Sequence, residues 1–569
     1  MSTHARPLAD WLSAASDDEL TRLFRLRGVR ADPGWHDFFD AAEALLDPAS
    51  VGRILPALTA DEASALVRAA AGGDAGDATA ALTSLALLRP DGSPWPELAT
   101  ALDGRPVPAA PADTAPGPAS DAASAHAAER AFTTVAVLAD LLLIARDSPF
   151  TLLTAGTVSA AEKRQLGEAG VPIELIDALV SIAGDAELAV AADRRLRVTD
   201  AGEEWLRSPA ADRWMRLATA FRETLPRGLR SAAGGWIAPS TWIHAHPWDP
   251  AWPEHSAAIL RTARLLGLVT EDGTEPAWAT PLREGAPVDA SALTTLLPTE
   301  VDRIFLQNDL TAIAPGPLAP ALDVRLRTIA ARESAAQASS YRFTSESTAH
   351  AFVVGETEQS ILDFLGEISL TGIPQPLAYL VSQTAQRHGL VRVSTDAETG
   401  RTRIESTDPH LIEAMAVDQN LRPLGLSAHV DSLTTKVGRD TVYWALTDAR
   451  YPATLIDADG TAIVGDRNPP GVAVSAADRV VDFTALITRL RAQQGPDADA
   501  AWLDRELEAA VRARAVVRVT VGMPDGSTRD LLLEATGLGG GRLRGRDRAA
   551  DVERTLPVSS IRAATIVAP

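Results

Sequence analysis

The sequence predicts a multi-domain α+β protein, and three observations predict it. Apolar residues recur at helical spacing through the first hundred positions, and they alternate with polar ones, as strands do, through the last fifty. A stretch rich in Pro, Ala, Gly and Ser interrupts the pattern early in the chain. At 569 residues there is chain enough for about three to five packed units, since one unit usually holds ~100–200 residues. The 46% hydrophobic and 22% charged fractions are those of a globular protein.

Residues 1–102 read as a helical domain. Ser16-Asp17-Asp18-Glu19 has the form of a capping box, in which the Ser hydroxyl accepts from the third helical N–H and the Glu returns to the cap. Leu20, Leu23 and Phe24 follow at helical spacing. Thr59-Ala60-Asp61-Glu62 repeats the device, and Gly72-Gly73 is suited to end the helix it opens. Residues 103–128 carry no bulky apolar side chain except Val107. Nothing there offsets the entropy of ordering, so a flexible linker with separately folding flanks is expected.

Residues 129–208 read as a winged-helix-like domain. A helix over 132–145 comes first, then a third capping box, Ser159-Ala160-Ala161-Glu162. A further helix starts at Pro172, and two short strands around Asp193 form the wing. The helix over 172–186 is the one such a fold lays in a DNA groove. It carries Glu174, Asp177 and Asp185 and no basic residue, so base reading by it is not expected.

Residues 209–300 form a Trp-rich helical or winged-helix-like region with Trp214, Trp236, Trp242, Trp248, Trp252 and Trp278. These indoles are either a stacking platform for single strands or packing anchors between helices. His244, His246 and His255 stand near Asp249 and Glu254, but their spacing fits no zinc motif. No metal is expected.

Residues 301–395 contain Leu306-Gln307-Asn308-Asp309-Leu310, Pro315-Gly316-Pro317-Leu318, Tyr341-Arg342-Phe343-Thr344, Pro374-Gln375-Pro376 and Arg387-His388-Gly389-Leu390-Val391-Arg392-Val393. Turns, caps and core faces account for most of these positions: Pro315-Gly316 ends a strand, Thr344 caps a helix, and Gly389 suits a left-handed helix end. This stretch resembles the small α/β domain that precedes the motor of XPB-type DNA helicases. It also resembles the same module in actinobacterial helicase-associated proteins that carry no motor. The segment over 131–208 resembles the matching portion of those proteins too. The resemblance implies DNA transactions as a context, a third strand at Val391–Val393, and Gln307, Tyr341, Arg342, Arg387 and Arg392 as nucleic-acid or partner contacts. Nothing beyond Val393 resembles a helicase motor.

Residues 396–510 read as an α/β and helical connection. Asp457-Ala458-Asp459-Gly460 makes a hairpin turn, and two helical stretches flank Pro496. Residues 511–569 alternate as strands and resemble a WYL-type β-barrel, with Gly541-Arg542-Leu543-Arg544 where the eponymous aromatic pair would stand. From Arg512 onward ten Arg face six carboxylates, a net of +4 in a chain of net charge −22. That asymmetry marks Arg542, Arg544, Arg546 and Arg548 as contacts to nucleic acid or a partner.

Composition excludes several functions. There is no Cys, hence no disulfide, Cys-liganded zinc or thiol catalysis. Lys163 and Lys436 are the two lysines, and neither follows a Gly as a phosphate-cradling GxxxxGK[ST] loop requires. GxSxG and HExxH are absent as well, so no enzyme activity and no cofactor is expected. The N-terminus lacks the form of a signal peptide, and the apolar run over 135–145, broken by Asp140, falls short of the ~20 residues a bilayer needs. A cytoplasmic location without membrane contact is expected. The sequence thus predicts a non-catalytic, DNA-associated accessory protein working with helicase, repair or transcription machinery. The alternative is a protein–protein scaffold of a helicase or repair complex that never touches DNA.

Overall fold

A computed structural model of the chain describes residues 5–108, 114–335, 338–472, 481–494, 496–523 and 526–567. Seven short helices from Ala5–Ala14 to Glu97–Leu102 build the N-terminal bundle. The boxes at Ser16 and Thr59 are present with both halves. Ser159 caps its helix, but Glu162 turns away to accept from the Thr151 N–H at 3.2 Å, so the third box is only half made.

The bundle's core is shared with a distant part of the chain. Its core of Leu8, Leu20, Phe24, Phe38, Phe39 and Trp95 is completed by Phe483, Leu486, Ile487, Leu490 and Trp502. These come from the helix Thr484–Ala492 with its N-cap Phe483, and from the helix Pro496–Ala513. Arg491 reaches the C-terminal carbonyls of the first helix, Ser13 O and Ala15 O, and pairs with Asp17 at 3.0 Å. Arg505 pairs with Asp40 at 2.9 Å.

The expected linker is shorter than composition suggested. Ser120 caps a 27-residue helix, Asp121–Asp147, so residues 121–128 belong to it; residues 109–113 lie outside the described residues. Ala127 and Ala128 are buried because the neighbouring turn approaches closely. A Cβ at Gly267 would stand 2.5 Å from Ala127 O and 3.1 Å from Ala131 Cβ. Small side chains are what this contact requires, and Ala is also the best helix former.

The helices Ala160–Glu168 and Ile176–Asp185 follow, then an antiparallel hairpin of Ala189–Ala192 and Arg195–Val198. Asp193 and Arg194 turn its tip with φ of 50° and 60°. All six Trp residues of the 209–300 region are buried. Trp214, Trp242, Trp252 and Trp278 donate Nε1–H to backbone carbonyls at 2.7–2.9 Å. They are packing anchors, and the stacking platform is ruled out. His246 is also an internal contact, its Nδ1 lying 3.0 Å from Leu58 O; burial pushes its pKa down.

Two further sheets stand in the middle of the chain. Phe305–Leu306, Thr311–Ala314, Ser339–Arg342 and Ala331–Ala335 pair antiparallel in that spatial order. The helices Pro320–Ile329, Ser345–Val353, Glu358–Ile368 and Gln375–Arg387 supply the rest of this core. The strand Val391–Thr395 was expected to join this sheet and does not. It pairs antiparallel with Thr402–Ser406 and parallel with Ala453–Ile456 in a six-stranded sheet that runs to Ala462–Ile463 and has its own core. Asp457 turns the last hairpin, accepting from the Asp459 and Thr461 N–H groups at 3.0 and 2.8 Å.

The C-terminal sheet has five antiparallel strands, ordered Val552–Pro557, Arg542–Asp547, Thr528–Gly539, Val516–Gly522 and Ile561–Val567. Among the described residues no ladder joins its two outer strands. Leu503, Leu507 and Ala510 of the helix Pro496–Ala513 cover its apolar face.

Candidate nucleic-acid interface

The carried-over residues of the middle module do not form one surface. Tyr341 is 1% exposed, and its hydroxyl donates to Asp323 at 2.6 Å. Burial and the adjacent carboxylate push its pKa up. A phenol so enclosed cannot stack on a base, so Tyr341 is a core residue and its expected contact role is withdrawn. Gln307 is exposed, but its amide oxygen accepts from the Thr311 hydroxyl at 2.9 Å within a tight turn. Arg342 is exposed and ion-paired to Glu333. Arg387, in the last turn of its helix, and Arg392, across the strand ladder from Glu405, are both exposed. Neither has an ion-pair partner among the described residues. Arg392 lies on the six-stranded sheet, apart from Gln307 and Arg342 on the four-stranded one.

The C-terminal arginines do share a surface. Arg542, Arg544 and Arg546 are exposed, while Leu543, Gly545 and Asp547 between them are buried, as strand alternation dictates. Gly545 belongs inside because a Cβ there would stand 2.8 Å from Glu534 O. Asp547 is anchored by Arg554 at 2.6 Å, a bond that holds its carboxyl below the usual range. Arg548 lies just past the strand and is exposed.

Register separates these four. Arg546 faces Glu534 on one side and Glu553 on the other, and pairs with Asp551 at 2.7 Å. Its charge is spent locally. Arg544 faces Gly537 and Thr555, and Arg542 faces Gly539 and Pro557. Both lack a carboxylate partner among the described residues, and the glycines leave the sheet surface beside them bare. Two arginines whose Cα atoms stand about 6.8 Å apart on one strand face are able to hold successive anionic oxygens.

The acidic helix is used structurally. Asp177 accepts from the Val158 N–H at 3.1 Å and pairs with Lys163. Ile176, Leu179, Val180, Ile182 and Ala183 face the core. The adjoining hairpin is bordered by Gly471, whose N–H donates to Val198 O at 2.8 Å. No group of three or more His, Asp or Glu among the described residues is arranged to hold a metal ion.

A cleft of about 940 Å³ opens where the helix Asp121–Asp147, the module of the four-stranded sheet and the unit of the six-stranded sheet converge. Its four arginines are each engaged by a carboxylate of its own wall. Arg146 pairs with Asp147 at 3.0 Å, Arg207 with Glu203 at 2.9 Å, Arg325 with Glu356 at 2.8 Å and Arg467 with Asp448 at 2.7 Å. Arg467 also lies over the Trp444 ring, 5.5 Å from its centroid. A wall neutralised in this way offers little to a phosphate.

Residues 304–429 match the family described as the helicase conserved C-terminal domain. That span is less than a quarter of the chain, so it is this part that is similar to helicase domains. The helicase likeness is a property of this segment. The match runs from the four-stranded sheet into the six-stranded one, and so includes both Val391–Thr395 and Thr402–Ser406. No curated protein matches the chain. Among the described residues no helix is long and apolar enough to cross a membrane.

Proposed function

We propose that this is a non-catalytic, DNA-associated accessory protein that works beside helicase, repair or transcription machinery in the cytoplasm. The observation that carries the reading is the pair Arg542 and Arg544, exposed and uncompensated on a glycine-lined strand face. On this reading the C-terminal sheet is a WYL-like barrel derivative that touches the DNA backbone, and the module around 301–395 is of the XPB N-terminal kind found in motorless actinobacterial proteins. The unit over 129–208 is a winged helix kept for architecture. Its helix order and hairpin support that, and its acidic third helix argues against groove reading.

A chain of net charge −22 binds polyanions only through a local patch, so affinity is low, sequence-independent and steeply salt-dependent. Titration of labelled duplex, forked and single-stranded DNA at two salt concentrations tests the proposal. Absence of binding at low salt refutes it.

The second reading, a scaffold that holds a helicase or repair protein without touching DNA, is favoured by one observation: the large cleft joining three units, whose charges are already paired. Binding of a partner protein undiminished by R542A/R544A, together with no DNA binding, would select it.

A further inference from the structure

The helix Pro496–Ala513 serves two cores at once. Leu503, Leu507 and Ala510 are buried with the C-terminal sheet, whereas Trp502 is buried with the N-terminal bundle. One turn beyond Trp502, on the same stripe, stands Glu506, which is 5% exposed. A seam position of this kind is ordinarily apolar. Arg6 of the first helix is the cation beside it, its Nη1 3.8 Å from Glu506 Oε2. That is too long for a hydrogen bond, and neither atom has a hydrogen-bond partner among the described residues. A buried carboxylate without hydrogen bonds is costly to ionise and cheap to protonate.

We infer that the joining of the C-terminal sheet to the N-terminal bundle is proton-linked through Glu506, the seam being tightest when this carboxyl is neutral. The charged groups around it do not cancel its burial. The first helix presents Arg6, which favours the ionised form, and Asp10, which opposes it. From the helix Phe38–Leu46, Asp40 is engaged by Arg505 of Glu506's own helix. Glu43 is itself pushed up by burial, with Arg505 and Arg512 pulling it back. The sheet side presents apolar Leu533, Ala535, Ala564 and Ile566.

Burial, with Asp10 adding and Arg6 subtracting, pushes the Glu506 carboxyl up to about 7 from an ordinary 4.5. An acid raised on docking takes up a proton as it docks. Docking is therefore strongest below pH 4.5, weakens through the window from 4.5 to 7, and is level above it. Within that window the docking constant falls by up to about tenfold per pH unit.

The chain has no Cys, so A99C and A550C, both at exposed positions, accept a donor and acceptor dye on the bundle and the sheet. The urea concentration at which energy transfer is lost is measured from pH 5 to pH 8.5. It should fall between pH 5 and pH 7 in the labelled parent and fall less steeply in E506Q, where Glu43 is the raised carboxyl that remains. R6A should carry the fall to higher pH. An E506Q variant with the same pH slope as the parent, or a parent with no slope, overturns the inference.

Discussion

Replacing Arg542 and Arg544 with Ala is the sharpest perturbation of the proposed DNA contact, because register predicts how it differs from replacing Arg546. Each phosphate neutralised contributes about 0.9 to the slope of log affinity against log salt on duplex DNA. A fourfold rise in salt, from 50 to 200 mM, then weakens binding about 3.5-fold per contact and about 12-fold for two. R542A/R544A should remove that sensitivity and lower the slope by about 1.8. R546A should change it little, since Glu534, Glu553 and Asp551 already surround that guanidinium. Fluorescence anisotropy with a labelled duplex at four salt concentrations reads both slopes. If R546A lowers the slope as much as R544A does, or if the double variant leaves it unchanged, the assignment by register is wrong.

Three other outcomes are expected. Asp140 of the helix Asp121–Asp147 pairs with both Arg327 and Arg332 of the four-stranded module; D140A leaves Arg332 unpaired and Arg327 with Asp323 at 3.8 Å, and should cost about 3 kcal/mol, read as a lowered urea midpoint. A protease nick between residues 103 and 120 should leave the N-terminal fragment bound to the remainder on size exclusion, because Phe483 to Trp502 complete its core; release of the fragment would contradict that. ATP turnover should be absent with or without DNA, and DNA-stimulated hydrolysis abolished by K163A or K436A would refute the non-catalytic reading.

Local chemistry was readable from the sequence where a few adjacent residues decide the structure. The boxes at Ser16 and Thr59, the left-handed Gly389 at φ 77° and the Asp457 turn all stand as their residue types require. The half-made box at Ser159 shows the limit, since a backbone N–H eleven residues upstream outbid the cap for Glu162. Tyr341 and Arg342 are neighbours on one strand, so one of them had to point inward. Sequence alternation alone does not say which, because a one-residue slip inverts the faces. Val391–Thr395 chose partners on its far side for the same non-local reason. The Ala-rich start of the long helix looked too apolar-poor to order, yet closeness to Gly267 is what makes small side chains suitable there. Of the candidate site, the arginine row was legible as a charge asymmetry. Its division into free and neutralised members needed the strand register.

The completion of the first core by Phe483, Leu486, Ile487, Leu490 and Trp502 also bears on how the protein is made. The N-terminal bundle leaves the ribosome before the helices that complete it, with Phe24 lacking Phe483 and Phe39 lacking Trp502. Those partners emerge roughly 400 residues later, some 20–80 s at the usual 5–20 residues per second. For that interval the nascent chain displays an aromatic surface that Phe483 to Trp502 later cover, so chains truncated before Phe483 should be the ones that chaperones retain and that aggregate.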